Sequence, residues 1–106
     1  MRHDLHQIQA REIIPGFWAK FIHTEAATIG FIDIKSGSKL PEHQHIHVQT
    51  TTVLEGKLEL FIEGQSQVLE AGQAITIPSN IRHAALAHTD CKAIDVFSPV
   101  REDYKF

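Results

Sequence analysis

The chain has a single cysteine, Cys91, so no internal disulfide can form and stability has to come from packing. Cys91 opens a strand-like run over residues 91–97, where a free thiol reads as a small buried hydrophobe rather than a reactive group. Long apolar stretches are missing too: nothing approaches the roughly 18 consecutive apolar residues of a membrane span. The first residues, Met1-Arg2-His3-Asp4-Leu5-His6-Gln7, lack the apolar run and small-residue cleavage site of a secretory signal, which makes a cytoplasmic protein the expectation. Lys and Arg total 10 against 13 Asp and Glu and nowhere cluster, which argues against a nucleic-acid backbone as partner. Helical apolar spacing is scarce, with only residues 5–10 hinting at a short helix, and there is neither an internal repeat nor a low-complexity segment.

What remains is an ordinary globular composition, 42% hydrophobic and 22% charged, over 106 residues. A chain of that length buries about 65% of its unfolded surface on folding, enough for one core and not for two. A single domain over residues 1–106 is therefore expected.

Short β-rich runs recur between turn residues. Segments 17–22 and Thr28–Ile34 come first, followed by a loop at Ser36-Gly37-Ser38 and a histidine-rich stretch running on to Gly56. Residues 58–62, 67–69 and 74–77 follow, broken at Gly64, Gly72 and Pro78, and runs at 84–88 and 92–97 close the pattern. Many short strands at this spacing predict an all-β sandwich or small barrel.

The most informative stretch is His43-Gln44-His45-Ile46-His47-Val48-Gln49. Read as one strand, it points His43, His45, His47 and Gln49 to the same side, and His83 follows beyond Pro78. Neutral imidazoles are common ligands for divalent first-row metals, and two on one strand face can reach one ion if that face lines a cavity. With 8 histidines in the chain, solvated surface rings are the alternative at this point.

The wider pattern adds to this. Gly37-x5-His43-x-His45-x3-Gln49-x6-Gly56 and, fifteen residues on, Gly72-x5-Pro78-x-Asn80-x2-His83 resemble the two sequence motifs of the cupin superfamily. The resemblance implies a double-stranded β-helix jelly-roll barrel, with His43, His45, Gln49 and His83 as ligands of one divalent transition metal. Gln49 stands where the first motif often has Glu; its amide oxygen can coordinate but brings no charge. Asn80 replaces the usual Gly, and Asn suits a turn that needs positive φ. His47 is not a usual ligand and belongs beside the ion or at the cavity mouth. Imidazole and amide donors suit Ni, Zn, Fe, Mn or Cu, so the metal's identity stays open.

The closing run, Asp95-Val96-Phe97-Ser98-Pro99-Val100-Arg101-Glu102-Asp103-Tyr104, resembles the ending of the KdgF family, small cupins of pectin and alginate breakdown. The order of the histidine stretch and the following Val53-Leu54-Glu55-Gly56 turn resemble that family as well. Asp95, Phe97 and Arg101 are the positions to which the resemblance assigns activity. Strand alternation puts Asp95 and Phe97 on one face, opposite Ile94 and Val96. If that face looks inward, burial raises the pKa of Asp95 and suits it to move protons, while Arg101, beyond Pro99, can return to grip a carboxylate. A surface ion pair from Arg101 to Glu102 or Asp103 is the competing assignment.

The reaction implied by the resemblance is conversion of 4,5-unsaturated monouronates into linear 5-keto-4-deoxyuronates, by ring opening and enol-to-keto tautomerisation. The partner would be a small anionic sugar acid. Two other classes fit the same ligands: a mononuclear iron dioxygenase, and a non-catalytic module that binds a sugar acid or metal. A homodimer is expected, with residues 13–22, including Trp18, covering a neighbour's sheet edge.

Overall fold

The computed structural model describes residues 1–106, and its regular structure is almost entirely strand. These are β1 (Arg11–Ile14), β2 (Phe17–His23), β3 (Thr28–Ile34), β4 (Lys39–His43), β5 (Val48–Glu55), β6 (Leu58–Ile62), β7 (Gln65–Leu69), β8 (Ala74–Ile77), β9 (His83–Ala87) and β10 (Cys91–Ser98). Two short 3₁₀ turns, Leu5–Gln7 and Glu102–Tyr104, flank them. The expected helix is only the first of these turns, because its apolar residues Leu5, Ile8 and Ala10 are only half-buried, too little packing to hold a longer helix. No helix is long and apolar enough to cross a membrane.

The strands form two antiparallel sheets, a six-stranded one in the order β1-β2-β3-β10-β5-β8 and a four-stranded one in the order β4-β9-β6-β7. This is the jelly roll that the resemblance implies, and the sandwich expected from the strand pattern. Alternation is clearest on β10, where Cys91, Ala93, Asp95 and Phe97 are buried while Lys92, Val96 and Ser98 face outward. β3 repeats it, with Thr28, Gly30, Ile32 and Ile34 turned inward.

Register divides the interior into two ends. At one, Cys91 lies opposite Ile34, and Val53 opposite Ala93, among the apolar cluster of Phe17, Ala19, Leu58, Leu60, Leu69, Ala85 and Ala87. Each fully buried Leu or Val there contributes about 1.5 to 3 kcal/mol. At the other, Asp95 faces Thr51 and Phe97 lies between Thr28 and Gln49, so the buried polar groups gather together. The apolar end is the anchor for the polar one.

Two turns depend on residues the sequence supplies. Gly56, between β5 and β6, has φ +90°, and a Cβ there would lie 2.3 Å from the Asp90 carbonyl oxygen. Asn80 adopts φ 60°, the conformation expected of it, and its N–H donates to the His45 carbonyl at 2.8 Å. The second turn ties the β8–β9 connection to the histidine stretch.

One expectation changes in detail. The histidine stretch is not one strand: His43 ends β4 in the smaller sheet, His45 and His47 lie in the crossover, and Gln49 belongs to β5 in the larger sheet. Within the chain, Pro15 and Gly16 turn β1 back onto β2, so that β1 edges the larger sheet, Phe17 enters the core and Trp18 stays 41% exposed.

Candidate metal centre

Three imidazoles converge at the polar end of the sandwich. β4 and β9 are neighbours with His43 directly opposite His83, and their ring centroids lie 4.2 Å apart. The crossover carries His45 to the same place, 4.9 Å from His83 and 5.6 Å from His43. One ligand atom from each of the three lies within 4.8 Å of the others. That is slightly wider than ~4.2 Å, the most that two bonds of ~2.1 Å to one ion can span, so small ring rotations would close the set.

The backbone fixes which nitrogen each ring offers. Nδ1 of His43 lies 2.9 Å from the Pro41 carbonyl, Nδ1 of His45 3.0 Å from that of His47, and Nδ1 of His83 2.8 Å from that of Ile81. A carbonyl only accepts, so each Nδ1 carries the hydrogen and each neutral ring turns the lone pair of Nε2 toward the others. His83 is 1% exposed, and its Nε2 is buried without any hydrogen-bond partner. An orphaned buried acceptor of this kind is uncommon and calls for an explanation.

Gln49 sharpens the requirement. Its Nε2 donates to Thr51 Oγ1 at 2.9 Å, and the Thr51 hydroxyl donates in turn to Asp95 Oδ1 at 2.6 Å. The amide oxygen is thereby aimed at His45 Nε2, 3.1 Å away. Two acceptors then face each other and need a cation or a proton between them. Burial, then the charge of Arg101, push His45 down to a pKa of about 4, so a proton does not serve at neutral pH. Burial lowers His83 as well. The donor set His43, His45, His83 and Gln49 therefore fits a divalent transition metal.

Asp95, Phe97 and Arg101 reach the same space. A cavity of about 50 Å³ is lined by His43, Gln49, Thr51, Asp95, Phe97, Arg101 and Tyr104, with apolar residues behind them. Asp95 is 9% exposed, and burial raises its pKa to about 6 against the opposing hydrogen bond from Thr51. Arg101 bears on both assignments left open by the sequence. It lines the cavity, and it pairs with Asp103 through Nε at 3.0 Å and Nη2 at 2.7 Å. Its guanidinium lies over the rings of Phe97, at 4.8 Å, and Tyr104, at 4.1 Å. One edge is committed to Asp103 and the Nη1 edge is not.

His47 stands outside the three-histidine cluster, its ring 5.3 Å from that of His45 and 6.5 Å from Phe97. Its backbone carbonyl holds His45, while its Nδ1 is buried and unpartnered.

Sequence reasoning passed over Thr51 and Tyr104. Thr51 lies two residues past Gln49 on the same strand face, a signal that the Thr50-Thr51-Thr52 run obscured. Tyr104 ends the closing run, but only the 3₁₀ turn brings it back over Arg101.

Comparison with known proteins places this geometry. Residues 30–97 match the cupin domain. The chain belongs to the cupin family. Among solved cupins, KdgF from Halomonas sp. superposes with a TM-score of 0.91 and 30% identity, over 97% of this chain and 96% of that one. Pectin degradation protein KdgF of Dickeya dadantii is 36% identical over 64 residues, 58% of this chain and 58% of that protein. The polyketide synthase CurC of Streptomyces cyaneus is 34% identical over 64 residues, 57% of this chain and 42% of that protein. The matched segment thus spans about half the length of these two curated relatives. The chain is a small cupin resembling KdgF.

Proposed function

We propose that this cupin converts 4,5-unsaturated monouronates, released from pectin or alginate, into linear 5-keto-4-deoxyuronates with one divalent metal bound. The observation that carries the reading is the relay from Gln49 through Thr51 to Asp95, which joins the candidate ligands to a buried carboxyl with a pKa of about 6, in a cavity that Arg101 shares. Likeness to KdgF over nearly the whole chain supports the same reading.

The reaction is an isomerisation. The C1–O bond of the cyclic hemiacetal breaks as the C1 hydroxyl loses its proton, leaving an aldehyde and an enol at C5. A proton then adds at C4 as the enol oxygen loses its own, giving the ketone. A metal held by His43, His45, His83 and Gln49 would supply Lewis acidity toward the ring oxygen or carboxylate. Arg101 takes the substrate carboxylate with its free Nη1 edge, Asp103 and the two rings keeping the guanidinium in place. Asp95 changes charge close to neutral pH and delivers the proton to C4. Phe97, 3% exposed, gives the pocket an apolar wall that excludes water from the enol.

The test is to incubate purified protein, loaded with Ni, Zn, Fe, Mn or Cu in turn, with an unsaturated monouronate and to follow loss of the C4=C5 ultraviolet absorbance. Acceleration over the spontaneous rate supports the proposal. No acceleration with metal confirmed bound overturns it, and oxygen uptake in its place would mark a dioxygenase.

A further inference from the structure

Arg101 has to be held from its backbone as well as from its side chain, because it sits beyond the last strand, at the start of the turn Glu102–Tyr104. Thr28 and His23 meet that turn. They are direct cross-strand partners at adjoining ends of β3 and β2, and Thr28 is fully buried at 0% exposure. Thr28 Oγ1 lies 2.9 Å from the Arg101 N–H and 2.8 Å from His23 Nδ1, while His23 Nε2 lies 3.2 Å from the Tyr104 carbonyl.

Only one assignment of hydrogens satisfies these contacts with a neutral ring. The Tyr104 carbonyl accepts, so His23 Nε2 carries the hydrogen and Nδ1 holds a lone pair. The Thr28 hydroxyl therefore donates to Nδ1 and accepts the Arg101 N–H. Both ends of the turn are thus secured, at Arg101 N and Tyr104 O, by two residues that touch neither the cavity nor the candidate ligands. Rings extend the hold: Phe21 stacks on Tyr104 at 4.5 Å and lies 6.1 Å from His23, and Tyr104 covers the Arg101 guanidinium. Thr28 is also the strand partner of Phe97, the second ring against which the guanidinium lies.

We infer that Thr28 and His23 are positioning residues that set the Arg101 guanidinium over the cavity through this relay. The inference rests on reading Arg101 as the group that grips the substrate carboxylate, and its test separates the two claims. In ¹⁵N-labelled protein the Arg101 Nε–H signal, assigned by its loss in Arg101→Lys, reports the guanidinium with no substrate present. Thr28→Val and His23→Phe, which keep shape and ring but remove the relay, should speed its exchange with solvent about tenfold, the effect of releasing one or two hydrogen bonds. Thr28→Ser, which keeps the hydroxyl, should restore the slow exchange. Unchanged exchange in both Thr28→Val and His23→Phe overturns the inference, and if one of them fails to fold, the other decides.

The second arm titrates metal-loaded protein with D-galacturonate, and with neutral galactose as control. Thr28→Val should weaken galacturonate binding about tenfold, with Thr28→Ser matching wild type and metal affinity unmoved. Faster Nε–H exchange with galacturonate affinity unchanged would uphold the positioning role and overturn the reading of Arg101 as the carboxylate grip.

Discussion

Replacing Asp95 with Asn tests whether the cavity keeps a carboxyl at a cost in stability. Asp95 is 9% exposed, and burial moves its pKa from an ordinary 3.8 to about 6. A group whose folded-state pKa is raised binds its proton more tightly in the native state. Its contribution is whole below pH 3.8 and is lost as pH rises through about 6. At ~1.4 kcal/mol per tenfold change in proton affinity, ionised Asp95 costs the metal-free protein about 3 kcal/mol above pH 7. Asn carries no charge, and its oxygen still accepts from the Thr51 hydroxyl, but its amide hydrogens need an acceptor and return about 1 kcal/mol of that gain. The difference between variant and wild type should therefore change sign. Metal-free Asp95→Asn should be about 1 kcal/mol less stable than wild type at pH 4 and about 2 kcal/mol more stable at pH 8. Urea unfolding at both pH values, read from the fluorescence of Trp18, the single tryptophan, measures it. His45 titrates in the same range in the opposite sense, but it is common to both proteins and cancels in the difference. Equal destabilisation at both pH values would refute the argument that burial sets the state of Asp95. The same variant should lose turnover of an unsaturated uronate, the stability gained being the counterpart of function lost.

Other outcomes follow from the same geometry. Thr51→Val removes the hydroxyl between Gln49 and Asp95, so metal affinity should fall about 10- to 100-fold by competition with a chromophoric chelator. Its cost in stability, about 2 to 4 kcal/mol, should be larger at pH 8 than at pH 4, since the lost hydrogen bond is stronger to an ionised carboxyl. Metal at a hundredfold excess over its Kd should stabilise the protein by about 2.7 kcal/mol, and chelation should lower Tm by about 10 °C or more. Gly56→Ala should cost about 2 to 4 kcal/mol in urea unfolding, because its Cβ would meet the Asp90 carbonyl at 2.3 Å and its φ of +90° suits no side chain.

Much of the fold is legible in the sequence because alternation of two is a backbone property that tertiary contacts rarely override in a sandwich. β10 shows it: the shared face of Asp95 and Phe97 follows from the sequence, while which face turns inward is set by the second sheet packed on it. Turn chemistry is legible for a similar reason, as Asn80 at φ 60° illustrates. The histidine stretch is read correctly in its convergence but not in its path. A local pattern of two cannot reveal that the chain leaves one sheet after His43 and joins the other at Val48. β1 is hidden for a comparable reason, four residues before a Pro15-Gly16 turn giving too little alternation to see. The pairing of Arg101 with Asp103, and the return of Tyr104 over it, depend on a turn whose anchors, His23 and Thr28, lie more than seventy residues earlier in the chain. No local pattern encodes such a contact.

The central claim is that imidazoles from two hairpins and one amide oxygen surround a single cation. Anomalous diffraction from crystals grown with Ni²⁺ or Zn²⁺ tests it most directly. One peak per chain, bonded to Nε2 of His43, His45 and His83 and to Oε1 of Gln49, is the predicted result. A space among those four groups with no peak, in crystals where the ion is bound elsewhere or not at all, would contradict it.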